Sequence, residues 1–218
     1  MKSATQMRLV VVSDTHGGHE KLGTLEGDVL IHCGDFCNGF HREPGDVENI
    51  DAWFAKQRFD LILCVGGNHD FAAENLVKQA VPVFRHAVWL QDAAHVHLGV
   101  KFYGAPWIPD LEGWAFHVSP EGLCEKWSMI PDDTDVLITH TPPFGVLDQS
   151  FSGRDIGCRH LRRRVEAVGP RFHVFGHCHS SAGVQPGKVT TFVNASVVGA
   201  GYEVVRSAVI LDLPVKTG

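Results

Sequence analysis

The sequence predicts an α/β fold whose sheet is covered on both faces, and two observations carry that prediction. The strand-like segments Met7–Val12, Val29–His32 and Leu61–Val65 are continuous apolar runs, the pattern of strands buried on both sides. They also arrive in the order strand, loop, strand, helix, strand, which lays helices over a sheet. At 218 residues the chain can bury one full core. A single domain is expected over residues 7–213, with 1–6 and 214–218 as tails.

In order along the chain, Met7–Val12 leads into the polar loop Ser13-Asp14-Thr15-His16-Gly17-Gly18-His19, and Val29–His32 leads into Cys33-Gly34-Asp35-Phe36. After the loop around Pro44-Gly45, Asp46 is placed to cap a helix from about Val47 to Arg58, with Val47, Ile50 and Phe54 on one face. Leu61–Val65 enters Gly66-Gly67-Asn68-His69-Asp70. A short helix is expected over Phe71–Gln79, then a hairpin pairing Ala94–Leu98 with Val100–Tyr103, in which His95 and His97 share the solvent face. Residues 104–129, rich in Pro and Trp, read as a partly ordered insert at the rim of a pocket, with most of its aromatics serving packing.

Val136–Thr139 forms the next strand and precedes His140-Thr141-Pro142-Pro143. A flexible loop over 144–157, also placed at the rim, feeds a helix of about Cys158–Val168, with Leu161, Val165 and Val168 on one face and Gly169-Pro170 at its end. Arg162, Arg163 and Arg164 are consecutive on that helix, so they point in different directions and read as solvated. Phe172–Phe175 runs into Gly176-His177-Cys178-His179, and strands Val189–Val193 and Ala208–Leu213 close the chain.

Composition removes several classes of function. A net charge of −6 argues against binding long nucleic acid through counterion release. No apolar segment approaches the length of a membrane span, and Met1–Gln6 carries no apolar stretch of the kind that opens a secretory leader, so the cytoplasm is the expected compartment. The six cysteines form no C-x-x-C pair and read as reduced, mostly buried thiols. The 14 histidines are the unusual entry in the composition, because imidazole is the commonest metal ligand.

Five polar boxes stand at or beside predicted strand ends: Asp14-Thr15-His16, Gly34-Asp35, Gly67-Asn68-His69-Asp70, Thr139-His140 and Gly176-His177-Cys178-His179. Ligands of open α/β sheets gather at such ends. Each box alone has an ordinary reading. Asp14 and Asp35 serve as turn residues, Gly67–Asp70 reads as a strand-to-helix turn capped by Asp70, and His177 and His179 alternate along a strand. The recurrence of Asp, His and Asn at the same end of successive strands favours one site. Carboxylate, imidazole and amide donors suit divalent Mn, Fe, Zn or Co, and seven candidate ligands exceed the needs of one tetrahedral ion. Two ions roughly 3.5–4 Å apart can clamp the oxygens of an in-line displacement and activate a water between them.

The ordered set D-x-H, G-D, G-N-H-D, T-H and G-H-x-H resembles the signature of the calcineurin-like metallophosphoesterases, from about Arg8 to Leu213. Within that superfamily, Leu30–Phe36, Gly157–Leu161, Val174–His179 and Phe192–Ser196 are similar to the branch of small metallophosphoesterase-domain proteins with cyclic-nucleotide phosphodiesterase activity. The resemblance implies a four-layer α/β/β/α sandwich and a dinuclear centre, with Mn the favoured metal. It implies that Asp14, His16 and His179 bind one metal, that Asn68, His140 and His177 bind the second, and that Asp35 bridges them. A bridging hydroxide would attack phosphorus while His69, not a ligand, acts as the acid. Asp70, where many relatives carry Glu, would orient His69 by a hydrogen bond, and Cys178 should point away from the metals. The implied substrate is a small phosphodiester of the cyclic-nucleotide kind. The alternatives are a phosphomonoesterase or protein phosphatase, and a catalytically silent scaffold that only binds metal.

Overall fold

The computed structural model describes residues 5–38 and 45–215. In chain order the elements are β1 (Thr5–Val12), β2 (Val29–His32), α1 (Gly45–Phe54), β3 (Leu61–Cys64), α2 (Phe71–Lys78), β4 (Val88–Trp89), β5 (Ala93–His97) and β6 (Val100–Ala105). They continue with α3 (Pro120–Ser128), β7 (Val136–Thr139), α4 (Arg159–Val168), β8 (Phe172–Phe175), β9 (Gly183–Pro186), β10 (Thr191–Asn194) and β11 (Val209–Val215). The strands form two sheets, ordered β11-β1-β2-β3-β4 and β5-β6-β7-β8-β10-β9. β1 to β4 are parallel, as are β6, β7, β8 and β10, while β11, β5 and β9 add antiparallel edges.

The apolar runs are explained by the layering. Leu9, Val11, Ile31 and Leu63 point between the sheets and meet Phe102, Val136, Ile138 and Val174 of the second sheet. The alternate residues Val10, Val12, Leu30 and Ile62 face outward onto Val47, Ile50, Trp53 and Phe54 of α1 and Ala72 and Ala73 of α2. On the far side Tyr103, Leu137, Phe175 and Phe192 pack under Leu123 and Trp127 of α3 and Leu161 and Val165 of α4. The result is the expected α/β/β/α sandwich. Among the described residues no helix is long and apolar enough to cross a membrane.

Several local expectations are corrected. α1 begins at Gly45 and stops at Phe54, so Asp46 lies inside its first turn and accepts the Asn38 N–H at 3.1 Å. Pro44 of the expected preceding loop lies outside the described residues. In β5 the half-buried face carries His95 and His97, and the exposed one carries Ala94 and Val96. The insert contains a regular helix, α3, whose Ser119 hydroxyl accepts the Gly122 N–H and whose first residue is Pro120, a favourable helix start. The 144–157 loop is tied down by the buried Asp148, which accepts the Gly145 and Gly157 N–H groups at 2.8 and 3.1 Å. β1 and β11 each reach two residues into the expected tails, at Thr5 and Val215.

Two buried histidines couple the fold to acid. Burial pushes the imidazoles of His32 and His173 down to about 3. Both are therefore neutral when folded and ionise near 6.5 when unfolded. The stability they supply is complete above about pH 6.5 and is lost as pH falls from there towards 3, by up to a few kcal/mol each. Denaturant unfolding in chelator should show stability falling over that window, and His173→Gln should flatten the fall. A variant as acid-sensitive as the wild type would contradict this account.

Candidate metal centre

All five polar boxes follow the carboxyl ends of β1, β2, β3, β7 and β8, and the two sheets are joined there. The Ser13 N–H donates to the Ala195 carbonyl and the Val197 N–H to the Ser13 carbonyl, both at 3.0 Å. The β1 and β2 loops are likewise zipped, with the Asp14 N–H on the Gly34 carbonyl at 2.9 Å and the His16 N–H on the Asp35 carbonyl at 3.0 Å. Asp14, His16, Asp35 and His177 all have positive φ, between 43° and 66°, a conformation non-glycine residues rarely hold. The chain thus turns sharply at each strand end and projects these side chains into one space. His177 and His179 sit on such a turn beyond the end of β8, not at alternate strand positions.

Gly176 makes this approach possible. A Cβ there would lie 1.9 Å from the Ser13 hydroxyl oxygen and 2.2 Å from Oδ2 of Asp14. The Gly67 position is as tight, since a Cβ would meet Oδ1 of Asp35 at 2.3 Å.

Two ligand groups lie side by side, and Asp35 of the second reaches towards His16 of the first. The candidate atoms of Asp14, His16 and His179 lie within 4.8 Å of one another, as do those of Asp35, His140 and His177. Nε2 of His179 is 3.3 Å from Oδ1 of Asp14 and 3.3 Å from Nε2 of His16. Oδ2 of Asp35 is 3.3 Å from Nε2 of His140 and 3.8 Å from Nε2 of His16. Oδ1 of Asn68 completes the second group, 2.9 Å from Nδ1 of His177 and 3.2 Å from Nε2 of His140. His69 stands beside both groups with Nε2 4.0 Å from Oδ2 of Asp35, and it also shares a compact grouping with His16 and Asp35.

The donor set fits divalent cations. The Nδ1–H of His140 donates to the Cys33 carbonyl at 2.7 Å, which leaves the Nε2 lone pair facing Oδ2 of Asp35 and Oδ1 of Asn68. Electron pairs aimed at one another call for a cation or a proton. A proton taken there would be strongly held, because Asp35 raises the His140 imidazole to about 9 against the effect of burial. Burial alone would raise the Asp35 and Asp14 carboxyls, but His140 and His179 respectively hold both below the usual range. Burial lowers His16 to about 4 and His177 to about 3, which favours the neutral, ligating imidazole.

Asp70 has partners other than the one expected. Its Oδ2 accepts the N–H groups of Asp35 and Gly67, each at 2.8 Å, and its Oδ1 accepts the Cys37 N–H at 2.9 Å. The carboxylate therefore fixes the backbones of the β2 and β3 loops, not the His69 ring. Burial and the nearby Asp35 push it up to about 7. It occupies the N-cap position of α2 without capping through its side chain. The Cys178 thiol donates to the Gln149 carbonyl at 2.7 Å, turned from the ligand groups as expected.

A cavity of about 310 Å³ opens beside Asp35, Asn68 and His69, walled by Leu111, Trp114, Phe151, Ile156 and Tyr202. Both segments expected at the rim contribute, although of the tryptophans in the insert only Trp114 lines the cavity, while Trp107 and Trp127 pack into the core. Sequence reading missed three supporting residues. Asn194 donates to the Leu147 and Cys178 carbonyls at 3.1 and 2.8 Å, and its signals were a polar side chain after the apolar pair Phe192-Val193 and its place in the family-like segment Phe192–Ser196. His32 accepts the Gly34 N–H and donates to the Thr15 hydroxyl, signalled by an imidazole inside a buried strand. Tyr202, alone in a glycine-rich loop, gave none.

A family model described as calcineurin-like phosphoesterase matches residues 7–181. The chain is 36% identical to metallophosphoesterase domain-containing protein 1 of Homo sapiens, over 95% of this chain and 71% of that protein. It is 34% identical to a UPF0046 protein of Caenorhabditis elegans, over 97% of this chain and 77% of that one. Among solved structures, phosphopantetheinyl hydrolase from Mycobacterium tuberculosis superposes with a TM-score of 0.59 over 92% of each chain, at 15% identity, a likeness of fold alone.

Proposed function

The chain belongs to the calcineurin-like phosphoesterase family and is a metal-dependent phosphoric ester hydrolase, and from that premise we propose that it cleaves small phosphodiesters of the cyclic-nucleotide kind. The observation that carries the diester reading is the cavity wall. Beyond the ligand groups and His69 it is mainly apolar and aromatic, with the serines Ser150 and Ser180 as polar members, and among the described residues no lysine or arginine lines it. A monoester dianion brings one more negative charge, which such a wall does not neutralise, whereas the second ester substituent of a diester can pack against Leu111, Phe151 and Ile156.

Asp14, His16 and His179 would hold one divalent ion, Asn68, His140 and His177 the other, and Asp35 would serve both. When bound, the ions polarise the phosphoryl group and lower the pKa of the attacking water. His69 stands at the cavity wall and delivers a proton to the departing ester oxygen, while its backbone N–H is held by Oδ1 of Asp35 at 2.8 Å. Asp70 positions the Asp35 and Gly67 loops through their N–H groups. Manganese is the first metal to try. The cytoplasm is the compartment we assign, on the strength of six free thiols, five of them buried.

With manganese and a nitrophenyl leaving group common to both, the ratio of kcat/KM on the diester to that on the monoester tests this reading. A ratio well above one is expected. Preference for the monoester would overturn it.

A further inference from the structure

His16 and His140 are held in different ways. The ring and tautomer of His140 are fixed by the hydrogen bond from its Nδ1–H to the Cys33 carbonyl, the usual device for a ligating imidazole. Nδ1 of His16 is buried and finds no hydrogen-bond partner among the described residues. Its ring is enclosed by aromatic edges instead. His69, His179 and Tyr202 lie edge-to-face with centroids 4.8, 5.2 and 4.7 Å away. Two of those rings are members of the centre itself. Tyr202 is not, and it also packs on His179 at 5.2 Å and 88°.

The loop that presents Tyr202 is built for close placement. Its φ is 62°, in the left-handed region that an aromatic residue rarely occupies. The Tyr202 N–H donates to the Gly199 carbonyl at 3.2 Å, the Gly199 N–H donates to the Glu203 carbonyl at 2.9 Å, and Val198 and Val204 pair at the base. Glu203 folds beneath the loop, so that a Cβ at Gly201 would sit 2.5 Å from its Oε2. Tyr202 itself is 51% exposed and adds little to the core. A strained backbone that holds a half-exposed ring closely against His16 and His179, and more distantly against His69 at 6.1 Å, is explained by the imidazoles.

We propose that Tyr202 is a positioning residue for the Asp14, His16 and His179 half of the metal centre, its ring holding the orientation of the His16 and His179 imidazoles as the Cys33 carbonyl holds that of His140. The inference rests on the two-metal reading given above. Its consequence is that the halves are unequal: one depends on Tyr202 and the other does not.

The test is calorimetric titration of the metal-free full chain with Mn²⁺, with bound metal counted after gel filtration. Wild type should take up two equivalents. Tyr202→Ala should keep one at wild-type affinity and bind the other about 10- to 100-fold more weakly, the usual effect of losing an outer partner of a ligating histidine. Tyr202→Gly, which suits the positive φ and so preserves the loop, should behave as Tyr202→Ala does. Tyr202→Phe should restore wild-type binding, because the ring and not the hydroxyl is invoked. The proposal is overturned if Tyr202→Gly binds both equivalents as wild type does, if it weakens both alike, or if Tyr202→Phe fails to rescue. A wild-type chain that takes up a single equivalent would bring down the two-metal reading itself and the proposal with it.

Discussion

Asp35→Asn is expected to cut turnover about a thousandfold or more, and to leave the protein unable to hold two metal ions. The bridging position proposed for Asp35 explains the size of the effect. Oδ2 of Asp35 lies within 4.0 Å of the ring nitrogens of His16, His69 and His140, so among the described residues it is the carboxylate placed to serve both ligand groups. The asparagine has the same shape and can still accept the His69 N–H, now received at 2.8 Å by Oδ1. What it cannot supply is the shared negative charge, and an amide NH₂ at the Oδ2 position would aim donors at cation sites. Several kcal/mol of transition-state stabilisation from the paired ions would go, and each 1.36 kcal/mol is about tenfold in rate. Metal analysis and kinetics on the purified variant check this. Two tightly held equivalents in Asp35→Asn would contradict the bridging role.

His69→Ala is expected to lower kcat by about 10²- to 10⁴-fold with both metals retained. The loss should grow as the leaving group becomes more basic, because an alkoxide needs the proton that a nitrophenolate leaves without. Geometry alone admits a second role, since His69 groups with His16 and Asp35 within ligand range. Counting metal in the variant separates the two. Retained metal with slow turnover identifies the acid, and lost metal would make His69 a ligand.

The sandwich was legible because each inner strand is buried twice. Val11 meets the other sheet while its neighbours Val10 and Val12 meet α1 and α2, so the run from Leu9 to Val12 is apolar and the helices between strands show by their spacing. β4 and β9 were invisible for the opposite reason: one is two residues long, and the other, Gly-Val-Gln-Pro, is a largely exposed edge with no apolar run. α3 carried a readable start at Ser119-Pro120, hidden by the tryptophans around it.

The five polar boxes were legible as one cluster because each comes from one short turn, where residue spacing is informative. Asp70 shows the limit of such reading. Its place beside His69 suggested a hydrogen bond between them, whereas its oxygens reach the backbones of Asp35, Gly67 and Cys37, two of which belong to the neighbouring strand's loop. Tyr202 lies further beyond reach, since its contact with His16 exists only because the loop after β10 folds over the loop after β1. A lone aromatic among glycines has no period to betray it.

On the proposed mechanism hydrolysis needs two ions that share one carboxylate. This requirement is tested most directly by following turnover of a nitrophenyl diester while the metal-free chain is titrated with Mn²⁺. Activity should stay near zero through the first equivalent, rise with the second and saturate there. Full activity at one equivalent, or none after two are bound, would contradict the account.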